Sequence, residues 1–283
     1  MEIKKVGVVG AGTMGNGIAQ VFAQSGFNVV LNDVSDAILD RAVATIGGSM
    51  DRLIKKEKIT AADKEAAVKR ITKSKDLKAM ADCDIVIEAI IEDFGAKKKM
   101  FSDLDAVLKP GAILASNTSS ISITRLAACT KRPQNVIGMH FMNPVPMMAL
   151  AEVVRGIATS DETFKAVDDL AKKVGKTPVE TNDYPGFVSN RVLMPMINEA
   201  CYTLMEGVAT RDAIDTVMKL GMAHPMGPLQ LADLIGLDVC LSIMEVLYEG
   251  FSDSKYRPCP LLKKMVDAGY LGRKTKRGFY IYE

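Results

Sequence analysis

Apolar positions fall into two regimes along the chain. Up to about residue 185, short unbroken apolar runs alternate with longer stretches of helical spacing; beyond it only helical spacing remains. The runs lie at 5–9, 28–32, 85–89, 113–116, 136–140 and 151–154, with a further short one near 178–180. Runs without polar alternation predict strands covered on both faces. The stretches at 14–26, 97–108, 123–128 and 161–174 predict helices between them. A charged stretch, 36–70, reads as a helical hairpin interrupted at Gly47-Gly48 and at the polar segment 55–63. Strand–helix–strand alternation of this kind predicts a mostly parallel sheet with helices on its faces.

Beyond Tyr184-Pro185-Gly186 the pattern predicts a helix over 187–207, with Val188, Val192, Met196, Ala200 and Leu204 at helical spacing and Pro195 as a kink. Further helices are predicted over 211–220, ended by Gly221, and over 229–248, after the turn Pro225-Met226-Gly227-Pro228. The expected organisation is two domains. Residues 1–185 form an α/β domain with a doubly wound, mostly parallel sheet and a helical hairpin insertion, and 186–283 form an all-helical domain.

The first predicted strand ends in Gly10-Ala11-Gly12-Thr13-Met14-Gly15, which opens the first predicted helix. Such a GxGxxG is weak alone, but here it has the strand–turn–helix setting of a Rossmann dinucleotide site. The first glycine allows the tight turn, the second lets backbone approach a pyrophosphate, and the third lets helix and strand pack closely. Asp33 closes the second strand, where a carboxylate binds both hydroxyls of an adenosine ribose and repels an added phosphate. Val34, Ser35 and Asp36 offer no arginine to receive that phosphate, so NAD is expected rather than NADP.

Composition narrows the class without naming it. The chain has 283 residues, 48% of them hydrophobic, enough for a sizeable core. A formal net charge of +2 gives no general attraction to nucleic acid. Five cysteines, none spaced as CxxC, predict reduced thiols and no metal site. No apolar run is long enough to span a bilayer and no leader precedes the first strand, so a cytoplasmic protein is expected. Only two histidines occur, His140 at the end of a predicted strand and His224 before a proline in a helix–helix turn. His140 can serve as a proton-transfer group near neutral pH; on its chemistry alone it reads equally well as a structural strand-end residue.

Several segments occur in order: Val86-Ile87-Glu88-Ala89, Ser116-Asn117-Thr118-Ser119-Ser120, His140-Phe141-Met142-Asn143-Pro144, Pro185-Gly186-Phe187-Val188-Ser189-Asn190-Arg191 and His224-Pro225-Met226-Gly227-Pro228. Together, and over essentially the whole chain, they resemble the 3-hydroxyacyl-CoA dehydrogenase family. The resemblance implies oxidation of a short 3-hydroxyacyl-CoA, with 3-hydroxybutyryl-CoA and acetoacetyl-CoA as the expected pair, in fatty acid or butyrate metabolism. It implies His140 as the catalytic histidine and Glu152 as its carboxylate partner, with Ser119 and Asn190 around the reacting oxygen. It assigns Glu92, Lys97, Asn117, Ser119, Asn143 and Lys274 to the cofactor, and Ser49 and Lys56 to coenzyme A. Met142, Ala149 and Lys276 depart from the family's usual residues; none of the three is catalytic.

These assignments suit the chemistry. Oxidising a secondary alcohol removes a hydride, which NAD accepts, and a proton, which a histidine can take. A carboxylate on one ring nitrogen fixes the tautomer and stabilises the charged ring, and the turn Asn143-Pro144-Val145-Pro146 can reverse the chain to bring Glu152 to His140. Ser119 also suits a helix cap, Asn190 a solvent-facing position in a first helical turn, and the lysines around Lys56 a solvated helix face. Two other functions fit a Rossmann domain joined to helices. A free 3-hydroxyacid dehydrogenase would need a lysine where Asn190-Arg191 stands, and a non-catalytic cofactor-binding protein would not need Ser119, His140, Glu152 and Asn190 together. Apolar residues such as Met218, Leu231 and Leu234 exceed what one small bundle buries, so a homodimer, or a multiple of one, is expected through the helical domain.

Overall fold

The computed structural model describes residues 2–283. The chain divides into two compact units, one ending at Asp183 and the other spanning Tyr184–Glu283.

The first unit runs β1 (Lys5–Val9), α1 (Thr13–Gln24), β2 (Asn28–Asn32), α2 (Asp36–Ile54), α3 (Ala61–Lys69), β3 (Ile71–Ser74), β4 (Ile85–Glu88), α4 (Phe94–Val107), β5 (Ile113–Ser116), α5 (Ile123–Ala127), β6 (Val136–Phe141), β7 (Leu150–Arg155), α6 (Asp161–Lys173) and β8 (Thr177–Asn182). The strands form one sheet in the order β3-β2-β1-β4-β5-β6-β7-β8. Strands β1 to β6 are parallel, β7 is antiparallel to β6, and β8 is parallel to β7. The longer apolar runs correspond to strands buried on both faces, with every residue of β4, β5 and β6 buried, whereas the short run near 178–180 is the largely exposed edge strand β8. Val8, Leu31, Ile87 and Ala115 from the strands share one core with Ile18 and Phe22 of α1 and Val167 and Leu170 of α6.

Most helices here start where a side chain accepts from an otherwise unpaired backbone N–H. Ser35 caps α2, Asp93 caps α4, Ser122 caps α5 and Ser160 caps α6. Thr60 and Asp63 form a reciprocal capping box on α3.

Two features differ from the sequence expectation. The glycine pair Gly47-Gly48 does not interrupt α2, because Leu39, Ala42, Ile46 and Met50 are buried on both sides of it; that burial outweighs the roughly 1 kcal/mol each glycine costs a helix. The interruption expected at 55–63 does occur, between the end of α2 at Ile54 and the start of α3 at Ala61. Strand β3 was not legible, because it lies at the sheet edge and only Ile71 in Ile71-Thr72-Lys73-Ser74 is strongly apolar.

The second unit contains α7 (Ser189–Met205), α8 (Arg211–Gly221), α9 (Pro228–Ile235), α10 (Leu237–Phe251) and α11 (Pro260–Asp267). The single helix expected over 229–248 is two, divided at Gly236, whose φ of 106° is left-handed backbone that favours glycine. The expected apolar stripe of α7 holds at Ala200, which lies in the bundle core, and at Leu204, which packs against it, but not at Val188 and Val192. Met194, Ile197 and Cys201 face the bundle core, whereas Val188 and Val192 are exposed. Two buried carboxylates fasten this unit. Asp215 accepts from the backbone N–H groups of Leu229 and Gln230 at the start of α9, and Asp233 accepts from those of Phe279 and Tyr280 in the C-terminal tail. In that tail Lys276, one of the departures from the family pattern, takes a left-handed φ of 58°, the conformation for which a glycine is best suited.

Candidate active site

The carboxyl ends of the parallel strands bring together the turn after β1, the acid after β2 and the loops after β4, β5 and β6. Open α/β sheets bind ligands at this edge. In the turn, Gly10 has φ of 96°, and a Cβ there would lie 2.5 Å from the Ala89 carbonyl oxygen. A Cβ on Gly15 would lie 1.7 Å from the Gly10 carbonyl oxygen, so both positions admit only glycine. A Cβ on Gly12 would meet nothing within 4 Å. That open space lies at the start of α1, whose first N–H groups receive no side-chain cap. Thr13 and Met14 form its first turn. An uncapped helix start beside open space fits a pyrophosphate. Asp33 braces the same turn: its Oδ2 accepts from the Ala11 N–H at 2.7 Å and its Oδ1 from the Val34 N–H at 2.7 Å.

Farther along this edge, His140 and Glu152 are directly opposed in the antiparallel pairing of β6 with β7. His140 Nδ1 lies 2.8 Å from Glu152 Oε2, and both side chains are buried. The strand register therefore sets the pair, with no need for a flexible loop to deliver either group. The connection between the two strands is held from both sides. Val145 packs against the space beside Gly17 of α1, and Lys176 Nζ donates to the Val145 and Met148 carbonyls at 2.5 and 2.8 Å. Burial lowers the Lys176 pKa from its ordinary value.

The Ser119 loop is built around a second group of charges, in which Glu88 and Lys97 are buried and Glu92 is partly exposed. Glu92 Oε1 accepts from the N–H groups of Ser119 and Ser120 at 3.0 and 3.2 Å, and from the Thr118 and Ser120 hydroxyls. Burial pushes the Glu92 carboxyl up, but the Lys97 ammonium and these hydroxyls outweigh it and hold the group below the usual carboxylate range. Lys97 Nζ lies 2.5 Å from Glu88 Oε1 and 3.3 Å from Glu92 Oε2. Glu88 in turn accepts from the Ile90 N–H and the Ser116 hydroxyl. Asn117 links this group to the histidine strand: its N–H donates to the Glu88 carbonyl, and its Oδ1 accepts from the Phe141 N–H at 2.9 Å.

Thus Glu92, Lys97, Asn117, Ser119, His140 and Glu152 gather at one edge of the sheet, with Asn143 exposed just beyond β6. Ser122, rather than Ser119, caps α5. Ser49 lies within α2 and Lys56 is exposed on the α2–α3 connection, away from the strand ends along the chain. Asn190 and Lys274 belong to the helical unit. Asn190 is buried in the first turn of α7, which rules out the solvent-facing alternative, and Lys274 pairs with Asp238 at 2.5 Å. Glu88 and Lys176 received no role from the sequence. Glu88 stood out as an acid ending an otherwise apolar strand, within one of the segments that carry the resemblance; Lys176 carried no sign.

A turn and helix start suited to a dinucleotide, with a buried histidine–carboxylate pair along the same strand ends, define an NAD-dependent oxidoreductase. The chain belongs to the 3-hydroxyacyl-CoA dehydrogenase family: the family's NAD-binding domain matches residues 5–184 and its C-terminal domain residues 186–282. It is 60% identical to a 3-hydroxybutyryl-CoA dehydrogenase of Bradyrhizobium diazoefficiens, covering 99% of this chain and 96% of that one. It is 59% identical to a probable 3-hydroxybutyryl-CoA dehydrogenase of Bacillus subtilis, covering 100% and 99%. The crystal structure of an (S)-3-hydroxybutyryl-CoA dehydrogenase from Ralstonia eutropha superposes with a TM-score of 0.98 at 56% identity, covering all of both chains.

Proposed function

We propose that this enzyme interconverts (S)-3-hydroxybutyryl-CoA and acetoacetyl-CoA, with His140 moving the proton. The observation that carries the mechanism is the 2.8 Å contact between His140 Nδ1 and Glu152 Oε2. Bound NAD supplies the hydride acceptor. Glu152 accepts the Nδ1–H, fixing the tautomer in which Nε2 takes the hydroxyl proton during oxidation, and it stabilises the imidazolium that results. In the reductive direction His140 returns that proton to the keto oxygen. Ser119, on the loop braced by Glu92, and Asn190 hydrogen-bond the reacting oxygen. Asp33 receives the adenosine ribose, Asn143 and Lys274 complete the cofactor contacts, and Ser49 and Lys56 bind coenzyme A.

The substrate assignment is supported by the relatives named above. The test is NADH oxidation with 3-ketoacyl-CoA thioesters of increasing chain length, beside free acetoacetate. Acetoacetyl-CoA is expected to give the highest kcat/KM and free acetoacetate almost none. A higher kcat/KM for an eight- or ten-carbon thioester would overturn the short-chain assignment, and turnover of free acetoacetate would overturn the thioester.

The enzyme is further proposed to act in the cytoplasm as a homodimer, or a multiple of one. All five cysteines are free thiols, as suits a reducing compartment, and no helix among the described residues is long and apolar enough to cross a membrane. The helical unit buries Met194, Ile197 and Met244 by itself, yet Val208, Val217, Leu220 and Met222 are more than half exposed. Val208 and Val217 line an apolar depression of about 450 Å³ with Met196, Ala200 and Met218. Exposed apolar surface of this kind marks an interface, and a two-fold pairing of like chains closes it. Light scattering at micromolar concentration is expected to give at least twice the mass of one 30.6 kDa chain; a monomer would contradict the assembly.

A further inference from the structure

The group formed by Glu88, Lys97 and Glu92 is unusual in its charge balance. Two carboxylates share one ammonium, and the side chains of Glu88 and Lys97 are each only 1% exposed. No other cation pairs with either carboxylate among the described residues, and their remaining contacts are to neutral donors: the N–H groups of Ile90, Ser119 and Ser120 and the hydroxyls of Ser116, Thr118 and Ser120. The depressed pKa of Glu92 keeps it ionised at neutral pH. The cluster therefore carries one net negative charge: the Glu88–Lys97 pair is buried and the Glu92 side chain is 38% exposed, so the charge is partly buried and is screened less than one on a free surface.

Its position gives that charge a target. Asp33, suited to the adenosine ribose, ends β2 on one side of β1, and His140 ends β6 on the other. A dinucleotide held at the start of α1 with its ribose at Asp33 would place its nicotinamide toward the ends of β4, β5 and β6, the carboxyl edge where open α/β sheets bind ligands. The ring must also lie there to exchange hydride with the carbon whose oxygen His140 serves. Glu88 ends β4, and Asn117 joins its backbone to Phe141, the neighbour of His140. The oxidised ring carries a positive charge and the reduced ring none.

We propose that the net negative charge of the Glu88–Lys97–Glu92 cluster selects the oxidised over the reduced nicotinamide, with Glu88 as the positioning residue that fixes Lys97 and supplies the surplus charge. Asp93 caps α4, and Arg125 within α5 stacks 3.8 Å over the Phe94 ring; both are constant when the cluster is varied.

The inference rests on the dinucleotide site and not on the identity of the acyl substrate, so its test reads binding alone. Dissociation constants for NAD⁺, NADH and ADP-ribose are measured by calorimetry on the parent and on Glu88→Gln and Glu92→Gln. Glutamine keeps an acceptor for the neighbouring donors while removing one charge. In Glu88→Gln the ratio Kd(NAD⁺)/Kd(NADH) should rise roughly tenfold, the scale of a unit charge acting over about 10 Å at an effective dielectric near 20. Glu92→Gln should shift it in the same direction by several-fold. ADP-ribose, which lacks the ring, should bind all three proteins within about twofold. A merely structural role would weaken all three ligands together and leave the ratio unchanged, which would overturn the proposal, as would a fall in the ratio. Should Glu88→Gln fail to fold, Glu92→Gln decides alone. Failure of the parent to bind ADP-ribose would overturn the dinucleotide site itself, a different result from an unchanged ratio.

Discussion

Replacing His140 by glutamine is expected to slow single-turnover reduction of acetoacetyl-CoA on the order of 10²–10⁴-fold, the usual worth of a general acid–base group. Glutamine keeps polarity and approximate size at a buried position, so NADH binding should change little and the loss should appear in kcat. Glu152→Gln should cost a comparable factor. Its amide can still accept the Nδ1–H across the β6–β7 pair, but it no longer carries the charge that stabilises the imidazolium. Because the two side chains act as one unit, held by a single cross-strand register, the double variant should lose far less than the product of the single losses. A His140→Gln rate within a few-fold of the parent would show that another group moves the proton.

Lys97→Met is expected to be the most damaging single change to stability outside the apolar core. It removes the ammonium shared by Glu88 and Glu92 and, among the described residues, leaves the buried Glu88 carboxylate without a counter-charge. Breaking a buried pair by deleting one partner typically costs about 3–5 kcal/mol, which for a chain of this size corresponds to a fall in melting temperature of roughly 6–20 °C. Adding Glu88→Leu should restore part of the loss, since the uncompensated charge goes with it; the Ser116 hydroxyl and Ile90 N–H still lose their acceptor, so recovery stays incomplete. Calorimetric melting of the single and double variants measures both effects. Additive losses would show that Lys97 and Glu88 do not act as a pair.

The elements that the sequence predicted best were those with a strong local reason. Six unbroken apolar runs became β1, β2, β4, β5, β6 and β7, because a strand buried on both faces has no position to spare for a polar side chain. The glycine-rich turn was equally legible, since Gly10 and Gly15 sit where a Cβ would strike backbone. Errors came where a local signal competed with burial. Gly47-Gly48 suggested a break that the buried face of α2 overrides, and at the start of α7 the expected apolar positions Val188 and Val192 are exposed while Met194, Ile197 and Cys201 join Ala200 in the bundle core.

The amino-acid sequence by itself determined the order of the elements, the dinucleotide turn, the family and the candidate side chains, because each depends on residue type and short-range spacing. Tertiary structure decided what those side chains do to one another. His140 and Glu152 are twelve residues apart in the chain, and only the antiparallel register of β6 with β7 makes them opposed neighbours. Glu88, Lys97, Glu92 and Ser116 come from two strands, a loop and a helix, and their shared charge exists only once the parallel sheet brings those ends together. Lys176 acquires its hold on the turn after β6 in the same way. Hydrogen bonds and charge pairs between distant segments leave little periodic trace in a sequence, since any polar residue satisfies the pattern until packing selects its partner.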